Sequence, residues 1–168
     1  RRTRRGLPPR PFARLVARAA AELGAPRDLL YAVMRQESRF DREAASPAAA
    51  RGLMQLPLPA AGEAARELNE APPAYSDLCD PARSIRLGAR TLRSLLDRFD
   101  GDATRAASGY NAGAGQAVLW SGGSDRPAEA LLAAISYAET RTYVRRVLAN
   151  RRAYRLALPE AEAIGGRR

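Results

Sequence analysis

The chain of 168 residues has no histidine, a single cysteine at Cys79 and, although 28 residues are basic, no lysine. Without histidine there are no Ser–His or Cys–His nucleophilic systems and no imidazole metal sites. A lone thiol makes neither an internal disulfide nor a cysteine zinc cluster, so Cys79 reads as an ordinary buried or loop thiol. It leaves the redox compartment open. Arginine supplies every basic charge, and with alanine abundant this reads first as nucleotide-composition bias. No apolar run approaches membrane-spanning length, and no signal-peptide pattern opens the chain. Any export signal is therefore expected outside it, and the abrupt start at Arg1-Arg2-Thr3-Arg4-Arg5 suggests a piece of a longer, multi-domain protein.

What is present fits one globular domain. The hydrophobic fraction is 46%, and the length suffices for a substantial core. The net charge of +10 concentrates anionic polymers near the surface. At this level nucleic acid and an acidic cell-wall polymer are both open.

Residues 1–11 hold five Arg and three Pro and read as an extended basic linker. Phe12, Leu15, Val16, Ala19, Ala20 and Leu23 fall on one helix face, which Gly24 and Pro26 terminate. Asp28 is placed to cap a helix through Glu37. Ser46-Pro47 reads as a helix start, Ala60 to Leu68 as a further helix, and residues 69–78 as a Pro-interrupted loop. Asp80-Pro81 opens a long amphipathic helix to about Phe99. Its apolar stripe is Ile85, Ala89, Leu92, Leu95, Leu96 and Phe99, and Arg83, Arg86, Arg90 and Arg93 read as a solvated face. Asp102 caps the next helix, which leads to a glycine turn after Asn111. Trp120 reads as packing rather than as a sugar platform. Pro127 opens a helix through Ile135, Ala138 to Tyr154 form the last, and residues 159–168 are a loose tail.

Chemistry concentrates around Arg35-Gln36-Glu37-Ser38-Arg39-Phe40. Glu37 closes the mostly apolar run Leu29 to Met34, where partial burial raises a carboxyl pKa. A carboxyl protonated near neutrality is suited to donate a proton to a leaving oxygen. Taken alone, Glu37 reads better as a solvated helix-end residue paired with Arg35 or Arg39.

Further segments stand with it: Ser46-Pro47, Gly52-Leu53-Met54-Gln55, Tyr110-Asn111-Ala112-Gly113 and Glu139-Thr140-Arg141 with Tyr143. In this order and spacing they resemble the catalytic domain of the soluble lytic transglycosylases, a branch of the lysozyme-like superfamily related to goose-type lysozyme. The resemblance runs from about Leu7 to Tyr154. It implies a compact all-α, lysozyme-like domain over residues 12–158 with a saccharide-binding cleft. It implies Glu37 as sole catalytic acid and base, and Ser46, Met54, Gln55, Tyr110, Asn111, Glu139 and Tyr143 as substrate-binding residues.

The implied substrate is the peptidoglycan glycan strand, cut between N-acetylmuramic acid and N-acetylglucosamine without water to leave a 1,6-anhydro ring. Neither metal nor organic cofactor is implied. The implied location is the periplasm or cell envelope, and no specific nucleic-acid partner is expected.

Some positions depart from the family pattern. Ala49 stands where the family usually has glycine, residues 56–62 lack the usual threonine, Gly109 replaces a common alanine and Ala114 a common proline. These bear on the cleft wall and not on the acid. A hydrolytic goose-type muramidase and a non-catalytic peptidoglycan-binding module remain alternatives. A nucleic-acid-binding domain has only the charge in its favour.

Overall fold

A computed structural model describes residues 7–122 and 126–158. Most of the expected basic linker and the whole of the expected tail lie outside the described residues. Within them are eight α-helices: α1 (Ala13–Leu23), α2 (Arg27–Glu37), α3 (Leu58–Glu67), α4 (Pro81–Arg98), α5 (Ala103–Ala112), α6 (Ala114–Ser121), α7 (Ala128–Ala134) and α8 (Ala138–Ala157). The only β-type pairing among the described residues is two isolated bridges, Ala45 to Arg51 and Arg51 to Leu56. The fold is all-α, as expected.

Local chemistry accounts for most helix ends. The Asp80 carboxylate accepts from the Arg83 N–H at 2.8 Å and starts α4. The Asp102 carboxylate accepts from the N–H groups of Thr104 and Arg105 at 2.7 and 3.0 Å and starts α5. Helix α3 begins two residues earlier than expected, because Pro59 fits a first turn that needs no N–H.

Three expectations need correction. Asp28 does not cap α2: Pro26 precedes the helix, and the buried Asp28 carboxylate accepts from Arg151 at 2.8 Å and Arg155 at 3.3 Å. It clamps α2 to α8 instead. Ser46-Pro47 starts no helix, because the Ser46 hydroxyl accepts the Ala50 N–H at 3.1 Å and closes a tight turn. In that turn Ala49 has φ 59°, the left-handed conformation that a glycine takes without strain. The arginines of α4 are not a solvated row either. Arg83 pairs with Glu70, Arg86 with Glu70 and Glu22, Arg90 with Glu67 and Arg93 with Asp97. Most of these acids come from α1, α3 and the segment after α3, which pattern reading along α4 cannot bring together.

The core forms around α2 and α4. Leu29 to Met34 are all fully buried, so α2 is a central helix rather than a half-exposed one. It packs most extensively on α8, where Tyr31 and Tyr154 stack with centroids 5.1 Å apart. The α4 stripe from Ile85 to Phe99 is buried as expected, against α1, α3 and α5. Trp120 is buried in α6 and donates to Ser136 Oγ at 3.1 Å, a packing role. This arrangement leaves the C-terminal end of α2 facing α5 and α8, and Glu37 is the last residue of α2.

Candidate active site

Glu37 leaves the buried run of α2 half-buried, with the Tyr143 hydroxyl donating to its Oε1 at 2.6 Å. Burial pushes its carboxyl pKa from 4.5 up to about 7, and the Tyr143 hydrogen bond holds back part of that rise. The Tyr143 phenol is itself raised well above 10.0 by burial and by the Glu37 charge. It therefore stays a donor at any physiological pH. The result is a carboxyl that is both acid and base near neutrality.

The loop of residues 52–55 lies against the end of α2. Ser38 Oγ donates to Leu53 O at 2.9 Å and accepts the Phe40 N–H at 3.1 Å, which fixes the chain directly after the acid. Sequence reading assigned Ser38 no role; its position next to Glu37 in the motif was the available signal. Gly52 has φ 76°, and a Cβ there would stand 1.7 Å from Leu78 O, so only glycine fits.

Met54 is fully enclosed, with its side chain against Gly88, so it packs the wall behind the site and does not reach the substrate contact expected of it. Its N–H donates to Ser84 Oγ at 3.2 Å and its carbonyl accepts the Tyr110 hydroxyl at 2.7 Å. Gln55 spends its amide N–H groups on Ala44 O and Gly52 O, both at 2.9 Å. Ser46 is engaged in its own turn, as described above.

Tyr110 and Asn111 sit in the last turn of α5. Burial and the Glu37 charge raise the Tyr110 phenol well above 10.0. Asn111 Oδ1 accepts from Thr140 Oγ1 at 2.8 Å, which ties α5 to α8. Asn111, Glu139, Tyr143 and Gln36 line a cavity of about 380 Å³, with the exposed Glu139 in the first turn of α8. The structure thus brings Glu37, Tyr143, Asn111 and Glu139 to one seam, with Tyr110 behind it holding the residue 52–55 loop. A separate cavity of about 400 Å³, lined by Arg98, Phe99, Asp102 and Arg105, lies at the far end of α5 and contains none of these residues. Among the described residues no group of three or more His, Cys, Asp or Glu could hold a metal, and no helix is long and apolar enough to cross a membrane.

The transglycosylase SLT domain matches residues 14–133. The chain belongs to that family. As an SLT domain it is 37% identical over 134 residues to a putative soluble lytic murein transglycosylase of Haemophilus influenzae, covering 78% of this chain and 22% of the relative. It is 33% identical over 135 residues to the soluble lytic murein transglycosylase of Escherichia coli K12, covering 77% and 21%. Among solved structures, the lytic transglycosylase Slt of Pseudomonas aeruginosa, in an inactive glutamate-to-glutamine form, superposes with TM-score 0.81 at 30% identity, covering 92% of this chain and 26% of that one. This SLT domain therefore spans about a fifth of the length of the curated relatives it matches. The lysozyme-like fold expected of it is the fold found.

Proposed function

We propose that residues 12–158 are the catalytic unit of a peptidoglycan lytic transglycosylase, with Glu37 as sole acid and base. The observation that carries this is the Glu37 carboxyl, raised to about 7 by burial and held by Tyr143. Its protonated form gives its proton to the glycosidic oxygen between N-acetylmuramic acid and N-acetylglucosamine as that bond breaks. The substrate's own N-acetyl carbonyl attacks the anomeric carbon and takes the part of a second carboxylate. Glu37, now the conjugate base, removes the proton of the muramyl 6-hydroxyl. That proton restores the acid, and the oxygen attacks the anomeric carbon, displacing the N-acetyl oxygen and closing the 1,6-anhydro ring. No water is consumed, and no metal or organic cofactor takes part.

Tyr143 orients the Glu37 carboxyl in this scheme, and Tyr110 fixes the residue 52–55 wall through the Met54 carbonyl. Asn111, Glu139, Gln55 and Ser46 contact the sugars, with the enclosed Met54 shaping the wall behind them. The relatives' names as murein transglycosylases support the substrate class, and the inactive glutamate-to-glutamine form of the Pseudomonas relative supports an essential glutamate. An enzyme of this kind works in the periplasm or cell envelope, as part of a longer protein.

The test is to digest purified peptidoglycan and weigh the products. Muropeptides ending in 1,6-anhydromuramic acid are expected. Reducing ends that carry an added water would make the protein a hydrolytic muramidase, and no release at all a binding module. Glu37→Gln is expected to lower turnover at least about a hundredfold, the usual contribution of a positioned acid, while glycan binding persists.

A further inference from the structure

Ser84 lies on the buried side of α4 and is only 1% exposed. A hydroxyl enclosed among apolar groups is tolerated where its hydrogen bonds are made. Here the partner is not in α4. Ser84 Oγ accepts the Met54 N–H at 3.2 Å, from a loop 30 positions earlier in the chain.

The same peptide unit is held at its other edge. Leu53 O and Met54 N–H belong to one planar trans group and point in opposite directions. Ser38 Oγ, one residue after Glu37, donates to Leu53 O at 2.9 Å, while Ser84 takes the N–H. Helices α2 and α4 thus fix the rotation of one peptide plane between them. The next carbonyl, Met54 O, accepts the Tyr110 hydroxyl at 2.7 Å and brings α5 to the same point. Both hydroxyls belong to the surroundings of the acid: Ser38 follows it in the chain, and the Glu37 charge is felt at the Tyr110 phenol.

Close packing leaves this peptide little other room. A Cβ on Gly52 would stand 3.0 Å from Ser84 Oγ, and one on Gly88, a turn after Ser84, 2.5 Å from Met54 Cγ. The loop also carries Gln55 in the left-handed region at φ 47°, where a non-glycine residue persists because its contacts impose it. Those contacts are its own side-chain bonds to Ala44 O and Gly52 O, both at 2.9 Å, and Ser84 takes no part in them.

We propose that Ser84 is a positioning residue for the reaction at Glu37, setting the orientation of the Leu53–Met54 peptide and through it the Ser38 and Tyr110 hydroxyls. The proposal rests on the reading of Glu37 as acid and base. Enclosed as it is, Ser84 reaches no substrate. It acts on turnover rather than on binding, because the sugar-facing Gln55 is held by bonds of its own. Ser84→Ala leaves the buried Met54 N–H without its acceptor, so the peptide turns and the two hydroxyls lose their register.

The test follows product release from purified peptidoglycan strands, whether or not the product has taken up water, below each variant's melting transition. Ser84→Ala is expected to lose about tenfold in kcat, the scale of one buried hydrogen bond, with KM within about twofold of wild type. Ser84→Cys has nearly the same volume but is a weak acceptor, and is expected to follow it. Ser84→Thr keeps the hydroxyl and is expected to restore turnover. In the double variant with Tyr110→Phe the two losses are expected to overlap, since both residues act through one peptide. An unchanged kcat in Ser84→Ala with only the melting temperature lowered overturns the proposal. An equal loss in Ser84→Thr, or losses that multiply in full with Tyr110→Phe, does so too.

An exchange arm needs no activity. In wild type the Met54 amide is expected to exchange with deuterium as slowly as the core amides of α2, although it lies in a loop. In Ser84→Ala it is expected to exchange faster while the α2 amides stay unchanged. A fast Met54 amide in wild type overturns the proposal even if the enzyme is active. If the amide is slow and Ser84→Ala releases it, the peptide is held as described, and a wild type that yields no product then counts against the reading of Glu37 alone.

Discussion

Glu37 owes its chemistry to two opposed effects at one carboxyl. Burial raises its pKa to about 7, and the Tyr143 hydroxyl stabilises the carboxylate and lowers it. Removing that hydroxyl must therefore raise the pKa further. For Tyr143→Phe the alkaline limb of the rate profile, where the acid is lost, is expected to move above pH 7; an unmoved limb, or one shifted down, would show that another group sets it. The same shift links to stability. Between pH 4.5 and about 7 the folded state keeps a proton that the unfolded chain has lost, so stability falls as pH rises through that window. Glu37→Gln removes the penalty while retaining an acceptor for Tyr143. Relative to wild type it is expected to gain on the order of 3 kcal/mol between pH 4 and pH 8, read from urea unfolding at both. A constant difference between the two proteins across that range would mean the carboxyl is not shielded.

At the scale of elements, the site depends on α4 although α4 contributes nothing to the chemistry. A Cβ on Gly88 would stand 2.5 Å from Met54 Cγ, and Met54 presents the carbonyl that anchors Tyr110. Gly88→Ala is expected to destabilise by about 1–3 kcal/mol through overpacking and to lower activity with it. Adding Met54→Ala should recover part of both by clearing the space, a coupling that a double-mutant cycle reads directly; strict additivity would show that the two residues do not share this contact. The helix starts at Asp80 and Asp102 were legible in the sequence, because a cap and its partner lie within three residues. The role of Asp28 was not, because its partners Arg151 and Arg155 lie far along the chain. The turn at Ser46 also escaped, since a Ser-Pro pair serves equally a helix start or, as here through Ser46 Oγ and the Ala50 N–H, a closed turn.

For the whole molecule, +10 is the charge left after 18 acids offset 28 arginines, several of them in the ion pairs on α4. What remains acts by steering toward an anionic wall. Raising salt from about 0.1 M to about 1 M cuts the screening length from about 10 Å to about 3 Å. KM for peptidoglycan strands is expected to rise several-fold over that range with kcat held; a fall in kcat at unchanged KM would locate the effect in the chemistry instead.

The sequence by itself determined most of the helices, their order, the candidate acid and the family, because periodicity, caps and motif spacing are local and survive in one dimension, whereas α6 followed from no such signal. Only the tertiary structure decided which side chains meet. Tyr143 reaches Glu37 across 106 positions, Tyr110 reaches Met54 across 56, and the arginines of α4 find acids on other elements. It also decided that Met54 is enclosed and that Arg35, Arg39 and Arg146 share one cavity. Burial and proximity set the pKa of Glu37, and both belong to the packing of α2 against α8.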